Sequence, residues 1–316
     1  MFTVPTIDIS PYLDPESSAA ARDDVARALD DACGGVGFVQ VVGHGIAPGV
    51  IDGLTAALDE FYALPLEVKK QYTRPGQNRG YSPPKSESLS MSLGVAAANQ
   101  MNDFYEAFTV GSERSWYAAD GLPEPSYPDN TWPDDTVATF RPAVEEWFAA
   151  ARGVSRVLLR AFAEGLGLAA NYFDTMTDHS IDALKMNNYT LPEGEIELAG
   201  ELTGMGAHTD FGIVTVLWAD QVAGLQVLAK DGTWHDVVVT SARGAVEVHV
   251  DGYQVALLPE VAQWQWGDAQ DEADAQQDVR PARSGPARRR PAARPAGTGA
   301  ADRAGHRLDS PDGRRL

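Results

Sequence analysis

The segment GMGAHTDFGIVTVL, residues 204–217, combines two kinds of sequence pattern. Its first half places an imidazole and a carboxylate two positions apart, at His208 and Asp210, and its second half is a β-branched run typical of a strand. Because side chains alternate along an extended chain, residues two positions apart project to the same face. The segment therefore predicts an extended stretch that presents His208 and Asp210 together.

The sequence around this segment predicts a mainly β fold with flanking helices. Downstream and just upstream, the runs LKMNNYTL, GLQVLA, WHDVVV and GAVEVHV are separated by Gly, Asp and Pro, a pattern typical of a sandwich or barrel. Further upstream, SSAAARDDVARALDDACGG begins with a candidate Ser cap and ends in glycines. Apolar residues at steps of three and four predict two more helices, one over 51–61 and one over 144–158.

The composition of the chain limits the kinds of partner that we expect it to bind. The chain has 316 residues, a formal net charge of -20 and one cysteine, Cys33. Such an acidic protein has no general attraction to nucleic acid phosphates or anionic membranes. A single cysteine forms no intramolecular disulfide, and no secretory leader or run of 18 apolar residues is present. We expect a cytoplasmic protein with a small-molecule partner and with no nucleic acid or membrane partner.

Three regions follow from the change in pattern along the chain. Residues 1–135 form a helical and loop region, and residues 136–267 hold a core helix and the strands. Residues 268–316 form an Arg/Ala/Pro-rich tail that we expect to be disordered, because it is almost free of apolar side chains. The tail could also be an arm for a nucleic acid or a partner, but it has no aromatic residue and carries scattered Asp.

The spacing of His208 and Asp210 fits a shared metal ion. One imidazole and one carboxylate are two of the three protein ligands in the facial triad of non-haem Fe(II) sites, and a second imidazole completes it. The same spacing occurs by chance in many chains, where it forms a hydrogen-bonded turn. The pair alone therefore leaves both interpretations open.

Several further sequence motifs, in order along the chain, accompany the pair of His208 and Asp210. They are VPTIDIS, GFVQVVGHGI, FYALPLEVKKQY, NRGYSP and DFYEAF in the first region, then LKMNNYTLP, GAHTDFGIVTVL and GLQVLAKDGTWHDV. Over residues 4–238 the chain resembles the isopenicillin N synthase-like family of Fe(II)/2-oxoglutarate-dependent oxygenases. The resemblance implies a double-stranded β-helix, or jelly roll. It also implies an oxidoreductase that uses Fe(II), 2-oxoglutarate and dioxygen to hydroxylate or desaturate a small secondary metabolite, as in antibiotic biosynthesis.

The resemblance also assigns roles to individual residues. It makes His208 and Asp210 metal ligands and places Asn187 and Tyr189 near the 2-oxoglutarate site. A tyrosine in a strand is more often a core residue with a satisfied hydroxyl, so that alternative stays open for Tyr189.

Other residues near these motifs are not expected to be ligands. The resemblance makes His44 structural. His179 fits a turn or cap, and His235 fits a solvent-facing strand position. Phe211 either lines the pocket or belongs to the core.

The chain lacks the third ligand that the family pattern contains. Relatives place a His-Arg pair about 55 residues beyond the aspartate and an Arg-x-Ser pair about ten residues later. Here no His lies between His249 and His306, and no Arg lies between Arg243 and Arg280. The chain therefore lacks the usual third iron ligand and the usual partner of the 2-oxoglutarate carboxylate.

Two substitutes and one simpler explanation remain. His249 is a weak candidate for the third ligand, because alternation in VEVHV groups it with Glu247 on a face that we expect to meet solvent. His306 lies in the tail and is weaker still. A frameshift after about residue 238 explains the change of composition more simply. It predicts a jelly roll that is incomplete at its C-terminal end and, as the alternative function, a catalytically inactive, frameshifted or degenerate relative.

Overall fold

A computed structural model describes most of the chain up to residue 268. The described residues are 3–84, 86, 105–118, 121–189, 205–210, 212–220, 222, 224–237, 246–250, 254–257 and 263–268. For the last three of these ranges only the backbone is described. Phe211, His306 and residues 269–316 lie outside the described residues, so the expectations for them stay untested.

Four α-helices form where the sequence patterns predict them, with one short addition. They are α1 (Ala19–Gly35), α2 (Pro48–Tyr62), α3 (Leu66–Lys69) and α4 (Phe140–Gly165). Helix α1 begins after Ser18, whose hydroxyl accepts a hydrogen bond from the Ala21 amide at 3.1 Å. The predicted Ser cap is therefore confirmed.

Twelve strands are described, and they form two sheets. They are β1 (Thr6–Asp8), β2 (Phe38–Val42), β3 (Gly80–Ser82), β4 (Glu106–Gly111), β5 (Asp182–Asn188), β6 (Met205–Thr209), β7 (Val214–Ala219), β8 (Leu225–Leu228), β9 (Trp234–Val237), β10 (Val246–Val250), β11 (Gln254–Leu257) and β12 (Gln263–Asp268). One sheet has eight strands in the order β1-β2-β10-β7-β12-β5-β4-β3, and the other has four in the order β6-β11-β8-β9. The predicted β-rich fold with flanking helices is confirmed.

The eight-stranded sheet is buried on both faces. Val216 and Trp218 of β7 pack in one apolar cluster with helix α4, where the rings of Trp147 and Trp218 lie 6.3 Å apart. Leu217 and Ala219, the alternate residues of the same strand, belong to a second cluster that includes residues of the four-stranded sheet. The eight-stranded sheet thus lies between the helices and the smaller sheet.

The described part of the larger sheet reaches the expected start of the tail. Strand β12 pairs with β7 on one side and with β5 on the other, from Gln263↔Asn187 to Asp268↔Asp182, and the expectation that the jelly roll is incomplete at its C-terminal end stays a prediction. The segment QWQWGD begins with alternating polar and aromatic residues, a period of two that is typical of a strand. Its six residues form the strand between β7 and β5. The sheet therefore continues to Asp268.

The register of β10 bears on the face that residues 247 and 249 share. They were expected on a solvent face, and in the backbone register Glu247 lies opposite Leu217 and His249 lies opposite Phe38. Both Leu217 and Phe38 belong to the second apolar cluster. Alternation separates the two faces of a strand, but it does not tell which is buried when the strand is central and both are covered.

Among the residues that the structure describes, no helix combines the length and the apolar sequence that a bilayer crossing requires.

Candidate metal centre

His208 and Asp210 lie together at the end of strand β6. The Nε2 atom of His208 is 3.2 Å from Oδ1 of Asp210, and the two side chains are 3% and 8% exposed. Asp210 follows β6 directly, and Gly212 then adopts a positive φ of 86°, which reverses the chain before β7. The predicted pair is thus brought into contact and buried.

The separation of these two atoms fits a shared metal ion. Imidazole nitrogens and carboxylate oxygens bind such ions at about 2.1 Å, so two ligands at right angles are about 3 Å apart. A direct hydrogen bond between an imidazole and a carboxylate has a similar length, about 3 Å. Geometry therefore permits a metal here and does not by itself require one.

The third position of a facial triad has no imidazole or carboxylate on the adjacent strand. Strand β6 is an edge strand and pairs with β11, whose Val255 lies opposite His208 and whose Gln254 lies opposite Thr209. Within the part of the chain whose side chains are described, no three His, Cys, Asp or Glu residues converge on one point. The described side chains at this edge therefore supply two candidate ligands, His208 and Asp210.

His249 lies in the larger sheet, on β10, which pairs with β2 and β7. His208 lies on β6 of the smaller sheet, which pairs with β11. The two histidines are thus on strands of different sheets, and ligation by His249 stays an untested alternative.

Asn187 and Tyr189 are buried at the end of β5, and the Tyr189 hydroxyl lies 3.9 Å from the sulfur of Met205 on β6, the strand that carries His208. The Asn187 side-chain amide donates to the Tyr189 hydroxyl at 3.3 Å, and the ring of Tyr189 lies 5.5 Å from that of Tyr105. Among the described residues, the buried Oδ1 of Asn187 has no hydrogen-bond partner. A buried acceptor without a donor costs about 1–3 kcal/mol, so this atom is suited to meet a ligand.

Sequence reasoning missed a buried ion pair behind this strand. The Lys69 ammonium lies 2.7 Å from Oε2 of Glu106, and Asn188 donates to Oε1 of the same carboxylate at 2.9 Å. The Tyr81 hydroxyl also donates to Glu106, and burial together with this carboxylate raises the Tyr81 pKa. The isolated charges within FYALPLEVKKQY and DFYEAF were the available signal, because a charge between apolar residues is often a buried partner.

The remaining histidines behave as supporting residues. His44 is buried, and its Nδ1 accepts from the Ile46 amide at 3.1 Å, while burial lowers its pKa. His179 is exposed and contacts Asp178, and His235 is half-buried on β9. A structural interpretation fits His44, whereas His235 is less exposed than expected.

Comparisons with known proteins identify the family. The model of the non-haem dioxygenase N-terminal region named for morphine synthesis matches residues 4–135. The model of the 2OG-Fe(II) oxygenase superfamily matches residues 181–259. The chain therefore belongs to the 2OG-Fe(II) oxygenase superfamily, the 2-oxoglutarate-dependent non-haem iron dioxygenases. The match continues to residue 259, so the departure from the family begins later than the expected residue 238.

Curated relatives carry matching names. The chain is 33% identical to the 2-oxoglutarate-dependent dioxygenase citB of Monascus ruber over 248 residues, which cover 74% of this chain and 70% of that protein. It is 30% identical to the clavatol oxidase claD of Penicillium crustosum over 256 residues, which cover 75% and 72% of the two chains. The prediction of the family and of its cofactors, Fe(II) and 2-oxoglutarate, is confirmed at this level.

Solved structures share the fold. A 2OG-Fe(II) oxygenase family protein from Caulobacter crescentus aligns with a TM-score of 0.68 at 20% identity, over 85% of this chain and 87% of that one. JOX2 in complex with 2OG, Fe and JA aligns with a TM-score of 0.62 at 24% identity, over 85% and 75% of the two chains. At these identities the likeness concerns the fold.

Proposed function

We propose that the chain binds Fe(II) through His208 and Asp210 and acts as a 2-oxoglutarate-dependent dioxygenase on a small secondary metabolite, by hydroxylation or desaturation. The observation that carries this proposal is the buried contact of 3.2 Å between the two ligand atoms at the end of β6. Family membership gives that contact its meaning, because a His–Asp pair alone is also an ordinary hydrogen bond.

The two sheets support a double-stranded β-helix. From β5 to β8 each successive strand lies in the other sheet, and from β9 to β12 the alternation continues. In this arrangement the second apolar cluster fills the space between the sheets. The division at residues 135 and 267 and the cytoplasmic location remain predictions.

The described side chains define what the protein contributes. Fe(II) and 2-oxoglutarate, when bound, supply the activation of dioxygen for oxidation of a substrate carbon. Asn187 offers its unpaired Oδ1 and Tyr189 its hydroxyl at the end of β5, where Tyr189 contacts the start of β6, and there they would orient the cosubstrate. The surrounding apolar residues, among them Met205 and Leu225, exclude water from the site.

Two protein ligands in place of three predict weak binding of Fe(II) and slow turnover. The absence of an Arg-x-Ser pair also predicts slow turnover, because a poorly paired 2-oxoglutarate carboxylate costs about 2–5 kcal/mol of binding free energy. The alternative is a catalytically inactive, frameshifted or degenerate relative, in which the fold persists and turnover does not. The change of composition at the end of the chain favours this second candidate.

Iron-dependent formation of succinate from 2-oxoglutarate distinguishes the two candidates. For an active enzyme, we expect slow turnover that requires Fe(II) and that His208→Ala abolishes. His179→Ala is the matched control, because His179 is an exposed histidine and its removal should leave turnover unchanged. Turnover that survives His208→Ala would contradict the proposed ligand.

Absence of any iron-dependent turnover would favour the inactive relative. The gene then offers an independent check. We expect a different reading frame beyond the codon of residue 259 to encode the missing His-Arg and Arg-x-Ser pairs. An alternate frame without them would exclude a recent frameshift.

A further inference from the structure

A buried guanidinium, that of Arg79, lies at the edge of the larger sheet. Arg79 directly precedes the edge strand β3 and is 6% exposed. Its Nη1 donates to the carbonyl of the neighbouring Asn78 at 2.6 Å. Among the described residues, its buried Nε has no hydrogen-bond partner. We propose that Arg79 forms a binding site for a small oxyanion, a phosphate or a carboxylate, at the end of β5 opposite to Asn187.

The position of Arg79 brings a positive charge into the interior. Burial lowers the pKa of Arg79, and the charge of Glu113 raises it again. Arginine nevertheless keeps its proton in folded proteins, so the guanidinium stays charged. Buried charges are paired in proteins, because an isolated ion loses its hydration without compensation. The charge of Arg79 therefore calls for an anion.

The carboxylate whose charge acts on Arg79 is committed to its own loop. Oε1 of Glu113 accepts from the Asn130 amide at 2.9 Å, and Oε2 accepts from the Ser115 hydroxyl at 3.2 Å. The Asn130 side chain in turn bonds to the backbone N–H and the carbonyl of Gly111, each at 2.8 Å. Both oxygens of Glu113 thus stabilise the loop after β4, and neither of these hydrogen bonds involves the guanidinium.

The orientation of the guanidinium suits an oxyanion. A Cβ atom at position 111 would overlap Nη2 and Cζ of Arg79, so the guanidinium lies directly against the backbone of Gly111. Nε and Nη2 form one of the two edges with which arginine binds a carboxylate or phosphate through parallel hydrogen bonds. The bond to Asn78 uses the remaining nitrogen, Nη1. The edge that carries the unpartnered Nε is thus not used by that bond.

A second buried polar group without a partner belongs to the same β-bridge. Thr73 pairs with Gly80, the residue after Arg79, in an isolated antiparallel bridge. Within the described part of the chain, the buried Oγ1 of Thr73 has no hydrogen-bond partner either. A hydroxyl and a guanidinium both donate to oxyanions. The backbone pairing therefore brings two donors of the required kind to one edge of the sheet.

The proposed oxyanion site is far from the proposed cosubstrate residues. Gly111 lies opposite Ala183 at the start of β5, whereas Asn187 lies opposite Ala107 near its end. Four positions along the strand separate Ala183 from Asn187, which is about 13 Å. The inference therefore does not rest on the proposed function, and its tests need neither iron nor 2-oxoglutarate.

Thermal unfolding of the full-length protein in two salts tests the site. The salts are sodium chloride and sodium phosphate, at pH 7 and equal ionic strength. We expect phosphate to raise the Tm of the unaltered chain by about 2–4 °C more than that of Arg79→Met, because a ligand that binds only the folded state stabilises it. The variant is the reference, because phosphate also stabilises proteins through exclusion from their surface.

Arg74→Met is the matched control. Arg74 is exposed, and its Nη1 donates to the backbone carbonyls of Gln71 and Thr73. This variant loses the same charge, and it should respond to phosphate as the unaltered chain does. Equal responses of the unaltered chain and Arg79→Met would overturn the proposal.

The Tm values in chloride show whether the chain itself supplies the anion. A buried charge without a partner costs free energy, so Arg79→Met should unfold in chloride at the same temperature as the unaltered chain or above it. If a carboxylate of the chain pairs with Arg79, the variant is instead less stable by the same amount in both salts. That result would overturn the proposal.

Nuclear magnetic resonance of the unaltered chain measures binding directly, also when Arg79→Met does not fold. Phosphate or acetate is titrated at constant ionic strength, and the Nε–H signals of the arginines are followed after sequential assignment. We expect the signal of Arg79 to shift along a saturating curve and that of Arg74 to stay unchanged. Saturation at a lower concentration of acetate than of phosphate identifies a carboxylate site, and the reverse identifies a phosphate site. An Arg79 signal that neither anion shifts would overturn the proposal.

Discussion

Replacement of Lys69 by methionine will lower the free energy of unfolding by about 3–5 kcal/mol, because it leaves Glu106 as a buried charge without its cation. The ammonium and the carboxylate lie 2.7 Å apart, and their side chains are 8% and 10% exposed. The neighbouring Lys70 pairs with the exposed Glu67 at 2.9 Å, so Lys70→Met should change stability far less. The two lysines are adjacent in sequence and differ in burial.

Urea denaturation of the unaltered chain, Lys69→Met and Lys70→Met measures the difference in the free energy of unfolding. The double variant Lys69→Met/Glu106→Gln should recover much of the loss, because a neutral amide still accepts from Asn188 and no unpaired charge remains. If Lys69→Met is no more destabilising than Lys70→Met, the pair is not buried in the folded protein.

The Val255→His variant should bind Fe(II) about 100-fold more tightly than the unaltered chain. Val255 lies opposite His208 in the antiparallel pair of β6 and β11, and directly opposed positions share a face. Structural zinc sites gain about 10–16 kcal/mol from four ligands, or about 3 kcal/mol for each. At about 1.4 kcal/mol per tenfold change, one added imidazole corresponds to about 100-fold.

Gln254→His provides the matched control. Position 254 is adjacent in sequence but lies opposite Thr209, so alternation directs a histidine there to the other face. Anaerobic equilibrium dialysis with Fe(II) compares the two variants, and thermal unfolding confirms that both fold. Equal affinities would show that the register of β6 and β11 does not place position 255 beside His208.

The sequence predicts those parts of the fold that depend on local pattern. Helix α1 begins after Ser18 because a hydroxyl there satisfies a free amide, and α4 follows apolar residues at helical spacing. The pairing of His208 with Asp210 is likewise local, since two positions of alternation bring both side chains to one face.

The remaining features depend on contacts between distant segments. Alternation in β10 gives two faces, but only its register against β2 and β7 shows which residues of the neighbouring strands lie opposite each position. The same holds for β12, whose short QWQW pattern acquires a role through β5 and β7.

The central claim is that the candidate metal centre has two protein ligands, His208 and Asp210, and that His249 is not a third. Its most direct test is Fe(II) affinity, measured anaerobically for the unaltered chain, His208→Ala and His249→Ala. We expect weak binding that His208→Ala abolishes and that His249→Ala leaves unchanged. Loss of binding in His249→Ala to the same extent as in His208→Ala, with both variants folded, would contradict the account.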